Sequence, residues 1–182
     1  MYFKNNAAKK QARHFNSGGS MHISAIGQDS HRFEPEGSAK PLVLGGVVIP
    51  GCAGLAGNSD ADVVLHAITN AISGLHGIPV LGAVSDDLCL KKGIRDSRIY
   101  CAKSLELLTA YRLVHVSVSI EAQRPHLAEH LPAMRESIAK LLSLPAHHVA
   151  LTATSGEGLT AFGRGEGIQV FAVASAEKKS GQ

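Results

Sequence analysis

The chain has 182 residues, of which 45% are hydrophobic and 18% charged, a composition typical of one globular domain. Its formal net charge is +3, but residues 1–22 carry four basic side chains and no acid, so the remainder carries −1. This charge, together with the absence of Trp and an aromatic content of 4%, argues against a nucleic-acid-binding surface.

The basic segment 1–22 ends in the sequence Asn-Ser-Gly-Gly-Ser-Met-His, which is typical of a flexible linker followed by an internal start at Met21. We expect it to be a tag, a misassigned start or a disordered extension. A short targeting sequence is a further alternative, which leaves plastid import open. The scattered Cys52, Cys89 and Cys101 favour a reducing cytoplasm, and no apolar run is long enough to span a membrane.

The predicted elements alternate between strands and helices. Ser59 is a good N-cap for the first helix, and Asp62 follows at the position of a capping-box acid. Strict alternation of Val and Ile with polar residues over 113–123 predicts a half-buried strand. Residues 80–95 have no clear pattern. The predicted strands are 22–27, a hairpin over 41–51 that turns at Gly45-Gly46, 113–123, 147–154 and 168–175; the predicted helices run from Ser59 to the Gly74–Pro79 segment, over 96–112 and over 127–142.

This order predicts an α+β fold with a mixed β-sheet and helices packed on one face. The domain is expected to span residues 23–175. Residues 176–182, which end in Glu-Lys-Lys-Ser-Gly-Gln, are expected to fray.

Asp29 and His31 are separated by one residue directly after the first predicted strand. His66 lies on the first helix, four residues after Asp62, so these two side chains share a helix face. One carboxylate and two imidazoles suit Zn²⁺ with one coordination position left open. The alternative is that the Asp-x-His arises by chance and that His66 is an ordinary helix histidine. Asp62 is explained either as a cap or by a hydrogen bond to a ligand or the loop.

The Gly-rich segment 155–167 is the second candidate. Hydroxyl and N–H groups at Ser155 and Gly156 can hold phosphate oxygens, and Glu157 can share a cation such as Mg²⁺ with them. The alternative is a plain turn. Arg164 and Glu166 form either a phosphate site or an internal ion pair. The sequence contains no Walker loop, no dinucleotide fingerprint and no nucleophile elbow.

Taken in order, several motifs resemble the 2-C-methyl-D-erythritol 2,4-cyclodiphosphate synthase family of the non-mevalonate isoprenoid pathway. The resemblance covers about residues 23–174. It rests on D-x-H-R-F (29–33), P-L-V-L-G-G-V-x-I-P (41–50), S-D-A-D-V-V-L-H-A (59–67), D-S (96–97), I-E-A-Q-R-P (120–125), T-S-G-E-G-L (154–159) and G-R-G-E-G (163–167).

The resemblance implies a lyase that converts 4-diphosphocytidyl-2-C-methyl-D-erythritol 2-phosphate to the 2,4-cyclodiphosphate and releases CMP. It implies a cytoplasmic homotrimer with active sites between subunits. Zn²⁺ would be held by Asp29, His31 and His66, with a substrate β-phosphate oxygen as the fourth ligand. Mg²⁺ or Mn²⁺ would bind through the substrate diphosphate and Glu157. The partners implied are the cytidine-diphosphate substrate and self, with no nucleic acid and no membrane.

The resemblance further implies catalytic roles for Asn58, Ser155 and Glu157. The segment Ala122 to Ala128 corresponds to the pocket that reads cytosine, and Arg164 and Glu166 to positions near the threefold axis, where an isoprenoid diphosphate can bind. The substrate-binding residues implied are Asp29, Ser30, His31, Asn58, Ser59, Gly82, Asp87, Ala122, Gln123, Pro125, Ala128, Thr154, Ser155, Gly156, Glu157, Ala161 and Arg164.

Several positions depart from the family pattern, including Ser155, which stands where the family usually has Thr. Asn58 replaces a His that positions a phosphate, Val80 an Asp that grips the ribose, Asn70 a helix Asp and Thr152 a Lys. The ligand triad and Glu157 are complete, which favours an active synthase. The alternatives are an impaired homologue that acts as an isoprenoid-diphosphate-binding trimer, or a metal-dependent phosphohydrolase.

Overall fold

A computed structural model describes residues 21–179, so the predictions for residues 1–20 and 180–182 lie outside the described range. A short π-helical turn spans Asp87–Lys91, and 3₁₀ turns cover Ala146–His148 and Gly156–Gly158. The strands are β1 (His22–Arg32), β2 (Pro41–Leu44), β3 (Val47–Ala53), β4 (Tyr111–Glu121), β5 (Val149–Thr154) and β6 (Gly167–Lys178), and the helices are α1 (Val63–His76), α2 (Ala83–Asp86), α3 (Ser97–Leu107) and α4 (Leu131–Leu142).

Four strands form a mixed sheet in the order β1-β6-β4-β5, in which only β4 and β5 are parallel. Helix α1 packs on β1 and β6, α4 packs on β5, and α3 lies against α1. Strands β2 and β3 form a separate hairpin. The predicted single α+β domain with a mixed sheet and a helical layer is thereby confirmed. Within residues 21–179, no helix is long and apolar enough to cross a bilayer.

Strand β1 is longer than predicted, because β6 pairs with it along its whole length, from His22 opposite Glu177 to Arg32 opposite Gly167. Asp29 and His31 therefore lie within the strand and not after it. Pairing with β1 carries β6 to Glu177 and pairing with β4 carries it to Lys178, so the predicted frayed end does not begin at residue 176.

The helix boundaries also shift. Ser59 is not the cap of α1, because the helix begins at Val63 and the hydroxyl of Ser59 accepts a hydrogen bond from the Ala61 N–H (3.0 Å) in the preceding loop. Helix α3 ends at Leu107 because the chain enters β4 at Tyr111. Helix α4 begins at Leu131, four residues later than predicted, and part of the patternless 80–95 segment is helical.

Gly27 lets α1 approach the backbone of β1 directly. A β-carbon at this position would overlap the carbonyl oxygen of Ala67 and the amide nitrogen of Ala71. Any larger residue would push the helix away from the strand. The short approach brings the first turns of α1 beside the carboxyl-terminal half of β1.

Asp62 fixes the beginning of α1. Its fully buried carboxylate accepts hydrogen bonds from the N–H groups of Val64 (3.1 Å) and Leu65 (3.0 Å) in the helix. It also accepts hydrogen bonds from Gly45 (2.9 Å) and Gly46 (2.6 Å), the two left-handed residues of the β2–β3 turn. One side chain therefore caps the helix and ties the hairpin to it.

We expect Asp62→Ala to lower the free energy of unfolding by about 3 kcal/mol, because it removes the cap and leaves buried N–H groups without an acceptor. The matched control is Asp96→Ala at the half-exposed N-cap of α3, which should cost about 1 kcal/mol. Urea denaturation of both variants measures the difference. Equal losses would contradict the role assigned to Asp62.

Candidate functional site

Three potential metal ligands converge at the junction of β1 and α1. Asp29 and His31 point to the helical face of the sheet because alternate residues of a strand share a face. The Oδ2 atom of Asp29 lies 3.0 Å from Nε2 of His31 and 2.8 Å from Nδ1 of His66. The two imidazole nitrogens are 3.2 Å apart. Such a meeting of one carboxylate and two imidazole nitrogens is typical of a metal site with room for a further ligand.

Hydrogen bonds on the far side of each imidazole orient the ligand nitrogens. Nδ1 of His31 donates to the carbonyl oxygen of Ala56 (2.7 Å), which leaves the lone pair on Nε2 free to bind. Nε2 of His66 donates to the hydroxyl of Ser97 (2.9 Å), and that hydroxyl donates to Asp60. Partners of this kind fix the tautomer of a metal-binding histidine. The donor set therefore fits a divalent metal ion.

Electrostatics keep the carboxylate of the triad ionised. Burial raises the pKa of Asp29, but the hydrogen bonds to His31 and His66 outweigh it and hold the pKa well below its usual range. The pKa of His31 is raised overall, because the hydrogen bond to Asp29 raises it more than burial lowers it. An ionised carboxylate beside two imidazoles is ready to bind a cation once the imidazoles are neutral.

The triad opens into a cavity of about 330 Å³. Asn58 and Ser59, which the sequence predicts as substrate contacts, line it. Asn70 lines it as well and donates to the carbonyl oxygen of Gln28 (3.0 Å). Ser30 points away from the triad and is exposed, so the structure does not bring it into this cavity. Other lining residues, which sequence reasoning did not single out, are Gly57, Leu81, Ser85, Asp86, Cys89 and Tyr100.

The segment over the cavity differs from the prediction in two respects. Asp86 lines the cavity and the predicted Asp87 does not; the carboxylate of Asp87 instead pairs with Lys91 (2.7 Å). Gly82 is likewise not among the lining residues, whereas the preceding residue Leu81 is. Val80 is fully buried in a small apolar cluster, so it contributes no contact to a ribose.

A second pocket of about 140 Å³ lies at the opposite edge of the sheet, between the end of β4 and the beginning of α4. Six of the predicted substrate-binding residues lie together here. They are Ala122, Gln123, Pro125, Ala128, Thr154 and Ser155. Its lining is mainly apolar, with Gln123, His126, Thr154 and Ser155 as the polar residues, which suits the recognition of a flat base by hydrogen bonds and contact area.

The turn after β5 holds Glu157 in a strained conformation. Its φ of 49° lies in the left-handed region that favours glycine, between Gly156 and Gly158. The Ser155 hydroxyl donates to Oε1 of Glu157 (2.7 Å), and the Glu157 N–H approaches that hydroxyl (3.4 Å). Strain of this kind is often kept where a side chain has a function.

Arg164 lies on the next turn and forms an internal ion pair, with Nε 3.0 Å from Oε1 of Glu166. The other carboxylate oxygen of Glu166 is 3.6 Å from Arg32. Of the two sequence interpretations, the ion pair is therefore present. Ala161 begins this turn and lines neither of the two pockets.

The metal triad and the second pocket lie on opposite edges of the sheet. Ser30 pairs with Gln169 of β6, Gln169 with Glu121 of β4, and Glu121 with Thr154 of β5. Three strand spacings place Ser30 and Thr154 roughly 14 Å apart. No residue lines both pockets in the described chain.

Residues 22–177 match the model of the YgbB family. The chain belongs to the YgbB family. Two curated relatives are named 2-C-methyl-D-erythritol 2,4-cyclodiphosphate synthase. That of Chlamydia caviae is 48% identical over 149 residues, which covers 81% of this chain and 85% of the relative. That of Chlamydia muridarum is 47% identical, with coverages of 81% and 84%.

Solved structures agree with this family assignment. A structure of 2C-methyl-D-erythritol-2,4-cyclodiphosphate synthase matches with a TM-score of 0.75 and 31% identity, over 85% of this chain and 99% of the other. A form described as bound to CDP matches with a TM-score of 0.70 and 30% identity over the same shares. The bifunctional IspDF of Campylobacter jejuni matches with a TM-score of 0.80 and 29% identity. The match covers 88% of this chain and 43% of that longer chain.

We expect His66→Ala to abolish stoichiometric metal binding, because the site keeps only two of its three ligands and loses a nitrogen donor. The fold should persist. Elemental analysis after dialysis against Zn²⁺ measures the loss, and circular dichroism checks the fold. The exposed His147→Ala is the matched control and should retain the metal. A normal metal content in His66→Ala would contradict the assignment.

Proposed function

We propose that the chain is a cyclodiphosphate synthase that converts 4-diphosphocytidyl-2-C-methyl-D-erythritol 2-phosphate to 2-C-methyl-D-erythritol 2,4-cyclodiphosphate and CMP. The observation that carries this is the convergence of Asp29, His31 and His66 on a cavity in a chain that is 46–48% identical to synthases of that name. The reaction is a phosphorus–oxygen lyase step in isoprenoid precursor synthesis.

In the reaction, an oxygen of the 2-phosphate forms a bond to the β-phosphorus of the diphosphate. The bond from that phosphorus to the bridging oxygen breaks, and CMP leaves with the electron pair. The difficulty is to bring one anion onto another, so the protein acts by positioning and by neutralising charge.

The metal triad suits Zn²⁺, whose preferred ligands are imidazole nitrogen and carboxylate oxygen. When bound, Zn²⁺ supplies Lewis-acid polarisation of a phosphate oxygen. Ala56 and Ser97 hold the two imidazoles in the ligand orientation. Glu157 would supply a carboxylate to a second divalent cation, Mg²⁺ or Mn²⁺, which would offset the charge of the diphosphate.

The second pocket is assigned to the cytidine end of the substrate. Backbone groups between Ala122 and Ala128 contact the base, and the hydroxyls of Thr154 and Ser155 hold the neighbouring phosphates. A related synthase structure described as bound to CDP supports a cytidine-nucleotide site in this fold.

The separation of the two pockets supports an active site shared by two chains, since roughly 14 Å of sheet lies between them in one chain. The face of the sheet opposite the helices supports a homotrimer, because it exposes Ile26 (67%), Phe171 (44%) and Val173 (39%). Exposed apolar groups on one sheet face are typical of a subunit interface.

Arg164 would then lie near the threefold axis, where an isoprenoid diphosphate remains a predicted ligand. The free thiols of Cys52, Cys89 and Cys101 support a reducing cytoplasm.

The test of this function is a phosphorus NMR assay of the full chain with the cytidylated substrate, Zn²⁺ and Mg²⁺. We expect resonances of CMP and of the cyclic diphosphate, and we expect a zinc chelator to abolish both. CMP together with a linear phosphorylated product would instead indicate a phosphohydrolase. Absence of any product from the zinc-loaded chain would contradict an enzymatic function.

Glu157→Gly separates the strain at this position from its function. We expect kcat/KM to fall by about a hundredfold because the second cation loses its carboxylate, a loss of roughly 3 kcal/mol in transition-state stabilisation. The free energy of unfolding should stay constant or rise by up to about 1 kcal/mol, because glycine adopts a positive φ without strain. A variant that loses stability and activity together would contradict this separation. Glu36→Gly, at an exposed turn position that lines neither pocket, controls for the loss of charge.

A further inference from the structure

The cavity of the metal triad contains no Lys or Arg among the described residues that line it, and it contains the carboxylates of Asp29 and Asp86. A substrate with a diphosphate and a monophosphate carries several negative charges. The two proposed metal ions act on the diphosphate, so a further cationic group beside the triad is favourable for the monophosphate.

A larger cavity of about 710 Å³ adjoins the metal cavity and shares four lining residues with it. Two basic side chains, Lys40 and Arg95, line this neighbour, and Asn58 lies between the two spaces. The shared residues are Gly57, Asn58, Ser59 and Cys89. The two cavities are therefore neighbours at these four residues, with the metal ligands in one and the positive charge in the other.

Lys40 is held in place but keeps donors to spare. Its Nζ donates to the carbonyl oxygen of Gly57 (2.9 Å), which anchors the ammonium beside Asn58 and leaves two further N–H groups. Within residues 21–179, neither Lys40 nor Arg95 forms an ion pair with a carboxylate. Burial lowers the pKa of Lys40, as expected for an ammonium that lacks a directly paired acid.

The one carboxylate in this second cavity is already engaged. Oδ1 of Asp60 accepts from the Asp62 N–H (3.2 Å) and from the Ser97 hydroxyl, and Oδ2 accepts from the Ser97 N–H (3.1 Å). Asp60 thus helps to orient His66, because it holds the Ser97 hydroxyl that accepts from the imidazole. The positive charges of Lys40 and Arg95 are left available for an anion.

We propose that Lys40 and Arg95 form a phosphate subsite that positions the 2-phosphate of the substrate beside the metal triad. This rests on the proposed function, which places the cytidine end in the pocket near Thr154 and the diphosphate at the triad. The 2-phosphate is the remaining anionic group, and the basic cavity is the space next to the triad that suits it. The pair supplies the positive charge that Asn58, an uncharged side chain, does not provide. Lys40 and Arg95 are positioning residues that hold the nucleophile and take no proton.

The test compares two ligands by calorimetry on the zinc-loaded full chain with Mg²⁺ withheld. One is the cytidylated substrate, and the other is the same compound without its 2-phosphate. We expect the wild-type chain to bind the 2-phosphorylated compound at least about tenfold more tightly, since hydrogen bonds between charged groups contribute on this scale. In Lys40→Gln/Arg95→Gln this preference should vanish, while affinity for the other compound and zinc content stay unchanged.

The conservative pair Lys40→Arg/Arg95→Lys should recover most of the preference, which a merely structural role would not do. Lys103→Gln, whose side chain pairs with Glu106 on the surface of α3, is the matched control and should behave as wild type. A preference that persists in the Gln variant, or its absence from the wild type, overturns the subsite. This comparison reads binding alone, so it is separate from the NMR assay, whose failure would overturn the proposed reaction.

Discussion

The contact between α1 and β1 is the constraint on which the site depends. Gly27 allows the helix backbone to lie against the strand, and Asp62 fixes where the helix begins by accepting hydrogen bonds from the helix and from the β2–β3 turn. Together they set both the distance and the register between the two elements. His66, on the first turn of α1, consequently meets Asp29 and His31 with donor atoms 2.8–3.2 Å apart.

Much of the fold follows from local patterns in the sequence. The alternation in β4, the turn at Gly45-Gly46 and the apolar side of α1 each identify their element. Their limits depend on partners that local patterns do not reveal. β1 extends to Arg32 because β6 pairs with it, and the cap of α1 is Asp62, not Ser59, because its carboxylate also receives the hairpin N–H groups. Tertiary hydrogen bonds decided both cases.

The site shows the same division. The metal triad could be anticipated from donor types and spacing, and the family resemblance selected it from several alternatives. The residues that orient the triad were not assigned this role, because Ala56 acts through its carbonyl oxygen and Ser97 is thirty-one positions from His66. Asp86 and not Asp87 lines the cavity because the chain changes from α2 to a short π-helical turn between these two residues. No sequence period specifies such a change.

We propose that the metal triad of one chain works with the Glu157 turn of a neighbouring chain. The most direct test of this proposal is complementation, in which inactive His66→Ala and Glu157→Gln chains are unfolded together, refolded and assayed. A site shared between chains predicts recovery of roughly a quarter of wild-type activity, since random mixing in a symmetric oligomer restores about that share of intact sites. Each variant refolded alone should remain inactive. No recovery in well-mixed oligomers would show that each chain builds its whole site itself and would contradict the account.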